Sequence, residues 1–371
     1  MIAPRVDVEV LVIGDGAAGI AAARSAVEAG ARVAVVSAGP GATAFGGGAV
    51  WGSSAEPFAS WARGGRFQLG GRFVTLGGWV LTDVVGGLSS LLDLRRLEPH
   101  TALGVLDLPT HPGWSPRALA SALGATVVPL GDFPEEESFH ATARRFDTDG
   151  VVEAAAESLR AAIRGRGVGA ILTPPVLGLR RDDVARRLSA ALGIPVGETV
   201  SDAGDPPSIR LSRALRAWIP EEVEVIRGHA AAKLSRGPDV TVDGAKARAR
   251  AVVLATGGVT GGGVSFGGSV REATAGAPLW LRNQRIPANS GAARGEDPSM
   301  WFGGEDPAIF RAGLRCNERG QVVGADGVEV PAPWLFAAGD LLRGRAGGGI
   351  AGALATGALA GAEAARFARG G

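Results

Sequence analysis

Residues 8–19 read VEVLVIGDGAAG, and this segment is the strongest indication of the fold. Its apolar part, residues 8–13, is typical of a strand that is buried on both faces of a parallel sheet. The glycine turn GDGAAG follows at once, and an Ala-rich helical stretch then leads to a second apolar run at residues 32–37. The order of strand, glycine turn, helix and strand predicts one βαβ unit of a dinucleotide-binding fold.

Each glycine of this turn has a physical role in holding a pyrophosphate. Gly14 permits the tight turn, Gly16 lets the backbone approach the phosphates, and Gly19 lets the helix pack closely on the strand. The N-terminus of the helix predicted at residues 20–29 offers free N–H groups and a partial positive charge to the phosphates, and Ala17 and Ala18 of the turn are expected to bind the cofactor. A plain glycine-rich turn is the alternative interpretation, but the strand before it and the helix after it favour a nucleotide site.

The second strand ends at a residue that departs from the usual dinucleotide pattern. An acidic side chain usually stands there and binds the adenosine ribose, whereas this chain has Ser37. A hydroxyl can still hydrogen-bond the ribose, although less strongly than a carboxylate. The loop that follows is again rich in glycine, and we expect its Gly47 and Gly48 to contact the cofactor.

A second nucleotide segment is predicted near residue 256. Residues 251–258 read AVVLATGG. A strand that ends in Ala-Thr-Gly is typical of flavoproteins with a dinucleotide fold, and we expect Thr256 and Gly257 to pass close under the cofactor. An ordinary buried strand is the alternative interpretation.

The third segment is WLFAAGD at residues 334–340, followed by a glycine run that opens the last helix. Asp340, after Gly339, is expected to bind a hydroxyl of the ribityl chain or one next to the pyrophosphate. The helix start at Gly348, Gly349 and Ile350 is expected to face the flavin and to stabilise its negative charge on reduction. A plain nicotinamide-dependent dehydrogenase would explain the first motif alone, so the three segments together favour a flavin.

These segments predict an α/β fold, with a Rossmann-like FAD-binding domain of the glutathione-reductase/fumarate-reductase type and an inserted α/β substrate lobe. Between the nucleotide segments, residues 101–195 alternate strand-like and helix-like stretches, as a second lobe requires. The FAD-binding domain is expected at residues 1–85, 222–262 and 311–371, and the substrate or cap lobe at residues 86–221 and 263–310.

Composition excludes several classes of protein. The chain has 371 residues, 46% hydrophobic and 20% charged, which argues against disorder. A net charge of +1 gives no overall basic field for nucleic acid. The single Cys316 excludes a disulfide framework within the chain and a zinc ribbon or cysteine-ligated iron–sulfur cluster made by this chain alone, and no metal site is predicted.

The sequence favours a cytoplasmic protein. The first apolar run is too short for a secretory signal. The small-residue stretch at residues 347–365 is long enough to cross a membrane, but it contains Glu363 and little Leu. We therefore expect association with the inner face of the cell membrane, if any, to be peripheral and to run through a partner.

Over most of its length the chain resembles the B subunit of anaerobic glycerol-3-phosphate dehydrogenase. The resemblance includes the N-terminal fingerprint with a small hydroxyl residue at Ser37, which that family shares. The other segments that carry it are GAILTPPVLGL at residues 169–179, PPSIRL at residues 206–211 with Leu215 following, and VLATG at residues 253–257 through Arg271-Glu272 to LFAAG at residues 335–339.

This resemblance implies a heteromeric enzyme that oxidises sn-glycerol 3-phosphate to dihydroxyacetone phosphate by hydride transfer to flavin. A larger A subunit would carry FAD, and a cysteine-rich iron–sulfur C subunit would pass electrons to the membrane quinone pool. The family's B subunit is often described with FMN, whereas the motifs indicate FAD, and we expect FAD. The single cysteine agrees with an iron–sulfur relay on a partner.

Oxidation of a phosphorylated alcohol needs a base for the hydroxyl proton and cations for the phosphate. Arg271 and Glu272 are the first candidate catalytic residues, because they follow the glycine-rich segment where the chain is expected to enter the substrate lobe. Arg210 is the next candidate. Any one arginine is weak evidence, because the chain has 36 Arg and only two Lys. The histidines are candidate bases, and none is favoured over a solvent-facing or core role: His100, His111, His140 and His229.

Two other functions stay open at this point. The chain could be a stand-alone FAD-dependent oxidoreductase of another hydroxy acid or an alkene, which activity of the isolated chain would favour. It could also be a non-catalytic flavin-bearing subunit that stabilises a catalytic partner. Copurification with a larger flavoprotein and a cysteine-rich protein, without activity alone, would favour that second alternative.

Overall fold

The computed structural model describes residues 6–52, 54–62, 65–82, 84–108, 113–131, 138–234, 237–266, 270–281, 284–286, 308–324, 331–342 and 348–370. The chain divides into two compact units. Unit 1 comprises Met1–Thr43 and Leu215–Gly371, and unit 2 comprises Ala44–Ala214. The nucleotide motifs around residues 14, 256 and 339 all belong to unit 1.

The strands in chain order are β1 (Val10–Ile13), β2 (Val33–Ser37), β3 (Ala49–Trp51), β4 (Phe67–Leu69), β5 (Phe73–Val74), β6 (Val80–Leu81), β7 (Val84–Leu88), β8 (Leu103–Asp107), β9 (Thr126–Pro129), β10 (Ala170–Thr173), β11 (Val196–Glu198), β12 (Glu224–Arg227), β13 (Ala230–Lys233), β14 (Asp239–Val242), β15 (Ala245–Ala247), β16 (Ala251–Leu254), β17 (Val264–Ser265), β18 (Arg271–Glu272), β19 (Trp280–Leu281), β20 (Gln284–Arg285) and β21 (Leu335–Ala337). The α-helices are α1 (Ala17–Glu28), α2 (Glu56–Ala59), α3 (Pro116–Leu123), α4 (Phe139–Phe146), α5 (Val151–Ile163), α6 (Val184–Leu192), α7 (Pro206–Arg216) and α8 (Gly349–Ala368).

Unit 1 is built on a five-stranded parallel sheet in the order β12-β2-β1-β16-β21. Every residue of β1, β2 and β16 is buried, as expected of strands covered on both faces. Strands β1 and β2 pair from Val10 against Val33, with α1 as the crossover between them. The predicted βαβ unit and the Rossmann-like α/β fold are therefore confirmed.

Helices α1 and α8 pack closely on one face of this sheet because the contact is made by small residues. A Cβ added at Gly357 would lie 2.1 Å from the carbonyl oxygen of Ala18, and one added at Gly361 would lie 2.1 Å from that of Ala22. Only glycine lets the two backbones come this close. The packing places the start of α1 beside the residues that follow β21.

Unit 2 contains its own parallel sheet, in the order β11-β10-β8-β9, and its own hydrophobic core. Strands β8, β9 and β10 and helices α3, α5 and α6 give residues 101–195 the alternation of strands and helices that the sequence predicts. A separate antiparallel sheet, β3-β7-β4, belongs to the same unit. Unit 2 is thus α/β, as predicted for the inserted lobe.

The division into units differs from the expected domain boundaries at three segments, the shortest of which, residues 215–221, belongs to unit 1 and not to the inserted lobe. Residues 44–85 belong to unit 2, because β3 and β4 pair with β7 there. The described part of residues 263–310 belongs to unit 1, because Val264 and Leu279 pack in the same core as Leu11. The assignment of one cofactor domain and one substrate domain stays a prediction.

The described part of the chain includes no helix that combines the length and the apolar character needed to cross a membrane. Helix α8 has 20 residues, but Glu363 is buried within it and forms ion pairs with Arg319 and Arg366.

Candidate functional site

A cavity of about 500 Å³ lies in unit 1 at the carboxyl ends of β1, β2 and β16. In an open parallel sheet, the loops at this edge are where ligands bind. The residues that line it come from all three predicted nucleotide segments: Gly14–Ala18, Ala255–Gly257 and Gly339–Asp340. The structure therefore brings together motifs that are separated by more than 200 residues in the sequence.

The glycine turn after β1 has the conformation that a pyrophosphate needs. Gly14 has a φ of +111°, and a Cβ there would lie 2.2 Å from the carbonyl oxygen of Ala255. A Cβ at Gly19 would lie 1.8 Å from the carbonyl oxygen of Gly14. Both positions exclude any larger residue, so they hold the start of α1 close to the strand ends.

The N-terminus of α1 opens into this cavity, with Gly16 as its N-cap residue. The Ala17 N–H donates a hydrogen bond to Thr43 Oγ1 at 3.0 Å. Ala17 and Ala18 line the cavity, as does Thr43. Sequence reasoning missed Thr43, since 26 residues separate it from Ala17 and no local pattern marks the contact.

Thr256 provides an independent indication that a ligand belongs in the cavity. Thr256 lines the cavity, and its Oγ1 is buried and has no hydrogen-bond partner among the described residues. A buried hydroxyl without a partner is unfavourable, and a bound group that hydrogen-bonds to it removes that cost. Gly257 follows with a φ of +76°, a conformation that glycine adopts readily. This conformation turns the backbone along the cavity wall.

Gly339 and Asp340 form the wall of the cavity after β21. The Gly339 N–H donates to Thr356 Oγ1 on α8 at 2.9 Å, which fixes this turn against the helix. The Asp340 side chain reaches solvent, yet the surrounding protein displaces enough water to raise the pKa of its carboxyl. Asp340 is thus placed to accept a hydrogen bond from a ligand hydroxyl.

Ser37 is buried at the end of β2, and its Oγ accepts a hydrogen bond from Arg227 Nη1 at 3.2 Å. Arg227 ends β12, the strand that pairs with β2 at the sheet edge. Val36 and Ala38, on either side of Ser37, line the cavity, and so does Gly228. The sequence identified Ser37, but it did not indicate that an arginine is its partner.

The remaining predicted cofactor residues have mixed placements. Gly348 is the exposed N-cap residue of α8, Gly349 has a φ of +80° and Ile350 is buried, so they form a helix start as predicted. Gly47 and Gly48 belong to unit 2, where the Gly47 N–H donates to Ser208 Oγ at 3.0 Å. Contact of these five residues with a cofactor stays a prediction.

Arg210, a predicted catalytic residue, is buried within unit 2. Its guanidinium forms an ion pair with the buried Glu198 and also hydrogen-bonds the Gly178 carbonyl oxygen and, at 3.2 Å, Ser90 Oγ. Removing either partner of a buried pair leaves an uncompensated charge, so these contacts stabilise the unit. Its catalytic role stays a prediction, and its described contacts are structural.

Arg271 and Glu272, the predicted substrate-side pair, form β18 in unit 1. Arg271 is exposed, whereas Glu272 is buried and its carboxylate accepts hydrogen bonds from the N–H groups of Thr274, at 2.9 Å, and Ala275. Burial raises the pKa of Glu272. Ala273 and Thr274 line the cavity, so Glu272 holds in place a turn that forms part of the site.

The histidines are dispersed. His229 lies exposed at the rim of the unit 1 cavity, and His140 lines a separate cavity of about 690 Å³ in unit 2 together with Asp205. Burial raises the pKa of Asp205. His100 is exposed with a φ of +67°, and His111 lies outside the described residues.

Three properties of the cavity fit a flavin nucleotide. The glycine turn and the start of α1 can hold a pyrophosphate, the unpartnered Thr256 hydroxyl can hydrogen-bond the ligand, and Asp340 can accept from a ligand hydroxyl. The volume is in the ordinary range for a cofactor site.

Comparison with known proteins supports this interpretation. The family model described as the FAD binding domain matches residues 9–63. This match confirms the expected FAD-binding fold and supports FAD as the cofactor. No curated protein matches the chain.

Several solved structures are similar to this chain. Mycobacterium smegmatis Sdh1 in complex with UQ1 is 14% identical, with a TM-score of 0.37 over 99% of this chain and 69% of that one. A 3-ketosteroid-delta4-(5alpha)-dehydrogenase from Rhodococcus jostii RHA1 is 16% identical, with a TM-score of 0.39 over 99% and 98%. A flavocytochrome c3 fumarate reductase is 15% identical, with a TM-score of 0.38 over 99% and 79%. Similarity at this level assigns no substrate.

Proposed function

We propose that this chain is a flavin-dependent oxidoreductase, the flavoprotein subunit of a quinone-linked glycerol-3-phosphate dehydrogenase that converts sn-glycerol 3-phosphate to dihydroxyacetone phosphate. The observation that supports the flavin part is the single cavity at which the three glycine segments of unit 1 meet. The substrate is proposed from the resemblance of the N-terminal, middle and C-terminal segments to the B subunit of that enzyme.

Different residues of the cavity would bind different parts of the cofactor. The turn at Gly14 and the N-terminus of α1 would hold the pyrophosphate, the Thr256 hydroxyl would donate or accept one hydrogen bond, and Asp340 would accept from a ribityl hydroxyl. When bound, the flavin supplies the acceptor for a hydride from the substrate carbon. The protein's part is to orient the two reactants and to exclude water.

On the substrate side, Arg271 remains our proposed phosphate ligand. It is exposed directly before the turn at Ala273 and Thr274 that lines the cavity, and its planar guanidinium suits a phosphate. Glu272 is assigned as a positioning residue, because its carboxylate accepts hydrogen bonds from the N–H groups of that turn.

The proposed assembly includes a catalytic FAD-containing A subunit and an iron–sulfur C subunit, with peripheral attachment to the inner face of the membrane through them. The chain's single cysteine, Cys316, supports an electron relay on a partner. A stand-alone oxidoreductase of another hydroxy acid or an alkene is the first alternative.

A non-catalytic flavin-bearing subunit is the second alternative, and one observation favours it. Among the described residues that line the unit 1 cavity, the histidine is His229, which is exposed at the rim and faces Asp243. A general base must reach the substrate hydroxyl. In this alternative the base and the substrate site belong to the partner subunit.

The proposal is tested by the anaerobic visible spectrum of the purified chain before and after addition of sn-glycerol 3-phosphate. Bleaching of the flavin band would support both the cofactor and the substrate. The enantiomer sn-glycerol 1-phosphate is the matched control, and dithionite shows that the bound flavin can be reduced. A flavin band that dithionite bleaches and glycerol 3-phosphate leaves unchanged, also after coexpression with the partner subunits, would contradict the substrate.

A further inference from the structure

At the edge of the unit 1 cavity, Ser37 stands where a carboxylate usually binds the ribose, and an arginine of the neighbouring strand lies beside it. Strand β12 pairs in parallel with β2, and its register sets Arg227 directly beside Ser37. The Gly228 N–H then donates to the Ser37 carbonyl oxygen at 3.1 Å, which fixes the two strand ends together. Val36, Ala38 and Gly228 line the cavity, so this pair lies at its edge.

The guanidinium of Arg227 retains donors for a ligand. It carries five N–H groups, and among the described residues its hydrogen-bond partner is Ser37 Oγ, while no carboxylate forms an ion pair with it. Asp243, an acidic residue on the adjoining turn, forms no ion pair with Arg227 among the described residues. Its Oδ1 accepts from the His229 N–H at 2.9 Å.

We propose that Arg227 and Ser37 form a subsite that accepts a phosphate on the adenosine ribose of a bound adenine dinucleotide. The ligand class is a 2′-phosphorylated adenine nucleotide of the NADP type, which would bind in the same cavity as FAD. The inference rests on the proposed nucleotide cavity and makes no assumption about the substrate that is oxidised.

The replacement of a negative side chain by a neutral one next to a positive one is the main argument for a phosphate subsite. A carboxylate at the end of the second strand accepts from the two ribose hydroxyls and repels a phosphate attached to either. Ser37 is neutral and buried, and Arg227 brings a positive charge with a planar fork of donors that matches phosphate geometry. The same fork can donate to unmodified hydroxyls, so FAD is still accommodated.

The large number of arginines in the chain does not explain this contact. Arg227 is exposed, as most arginines of a protein are, but its guanidinium donates to the one residue at which the dinucleotide pattern is broken. It reaches that residue through strand pairing in register, not through a flexible loop. The loss of the acid and the gain of the base therefore occur at the same place.

The test compares three probes on the full chain by displacement of FAD, followed through flavin fluorescence, and by direct calorimetric titration. Adenosine 2′,5′-bisphosphate should bind at least about tenfold more tightly than 5′-AMP, since hydrogen bonds to charged groups contribute that much. Adenosine 3′,5′-bisphosphate has the same charge with the phosphate on the other hydroxyl, and it should gain less.

Variants separate the subsite from general charge effects. Arg227→Gln should remove the preference for the 2′-phosphate and leave 5′-AMP binding nearly unchanged, and Arg227→Lys should restore part of it. Arg24→Gln is the matched control, because Arg24 pairs with Glu28 on α1 and does not line the cavity. Ser37→Glu should reverse the preference, with a thermal melt to show that the variant folds.

Each outcome decides the inference. Equal binding of 5′-AMP and adenosine 2′,5′-bisphosphate, with no effect of Arg227→Gln, would overturn the subsite and leave the flavin cavity intact. A preference that Arg24→Gln removes as strongly as Arg227→Gln would overturn it as well. Failure of every adenine nucleotide and of FAD to bind would overturn the nucleotide cavity itself, and the subsite with it.

Discussion

The guanidinium of Arg216 lies 2.6 Å from the carboxylate of Asp15, measured from Nη2 to Oδ2. Asp15 stands between Gly14 and Gly16 in the turn assigned to the pyrophosphate, and it is buried. An unpaired carboxylate at this point would repel the phosphates across a short distance. Arg216, the last residue of α7, compensates that charge, so the turn can still act as an anion site.

Loss of Arg216 should therefore weaken FAD binding without removing any group that lines the cavity. We expect Arg216→Met to weaken FAD affinity about tenfold, because it exposes the ligand to the charge of Asp15. Adding Asp15→Asn should restore most of the affinity, since the double variant carries neither charge. Fluorescence titration with FAD measures both effects.

The control for this pair is Arg24→Met, which breaks the exposed pair with Glu28 on α1. It removes the same charge from the chain and should leave FAD affinity within about twofold, as expected for exposed pairs. Equal FAD affinities for the wild type and Arg216→Met would show that the Asp15 charge is not felt at the phosphates.

Substitution of Thr256 by valine should stabilise the empty protein and weaken its binding of FAD. In the empty cavity its Oγ1 is buried and lacks a partner among the described residues, so Thr256→Val should raise the stability of the apoprotein by about 1 kcal/mol. With FAD bound, the same substitution removes a hydrogen bond and should lower affinity several-fold. Thermal melts of both forms report the two signs.

Thr256→Ser retains the hydroxyl and is the control for the methyl group. It should keep the wild-type FAD affinity, because the hydrogen-bonding atom is still present. A Thr256→Val variant that binds FAD as the wild type does would mean that the hydroxyl faces no ligand atom.

The sequence predicts the parts of this molecule that depend on local pattern. The apolar run before Gly14, the helix after it and the strand before Thr256 are where the pattern indicates, because buried strands and a glycine turn leave a local signature. The contacts that complete the site are different. The hydrogen bonds between Ala17 and Thr43 and between Arg227 and Ser37 depend on which segments the fold brings together. The spacing of residues in the sequence does not indicate such contacts.

Arg210 illustrates the same limit from the other side. Its segment carries part of the family resemblance, and its place in the predicted substrate lobe suggests a phosphate ligand. The structure buries its guanidinium against Glu198, only 12 residues away in sequence. Whether an arginine faces solvent, substrate or a buried acid depends on tertiary packing, which a motif does not specify.

Gly357 should be intolerant of the smallest substitution, although it lies inside a helix. Alanine normally stabilises a helix relative to glycine by about 1 kcal/mol. Here the added Cβ would lie 2.1 Å from the carbonyl oxygen of Ala18 on α1, so the two helices must separate. We expect Gly357→Ala to lower the free energy of unfolding by at least about 2 kcal/mol, as overpacking does.

Chemical denaturation measures this change, and Ala355→Gly on the exposed face of α8 is the comparison. That variant should lose about 1 kcal/mol through helix propensity alone. If Gly357→Ala is instead as stable as the wild type, the close contact between α1 and α8 does not hold in solution.

Asp340 should make the stability of the apoprotein depend on pH. Desolvation by the surrounding protein raises the pKa of its carboxyl above the ordinary value of 3.8, so the folded protein keeps this proton at pH values where the unfolded chain has lost it. Since the folded state then binds more protons, stability falls as pH rises from 3.8 to the raised pKa, and it is constant above that. Asp340→Asn has no proton to lose.

The difference in unfolding free energy between Asp340→Asn and the wild type should therefore shift in favour of the variant across this pH window and then level off. Glu28→Gln removes an exposed carboxylate on α1 and is the control for one fewer negative charge. FAD should bind the wild type more tightly as the same carboxyl ionises, because the ionised form accepts the stronger hydrogen bond. A wild-type FAD affinity that stays flat with pH, together with an unchanged affinity in Asp340→Asn, would remove Asp340 from the cofactor site.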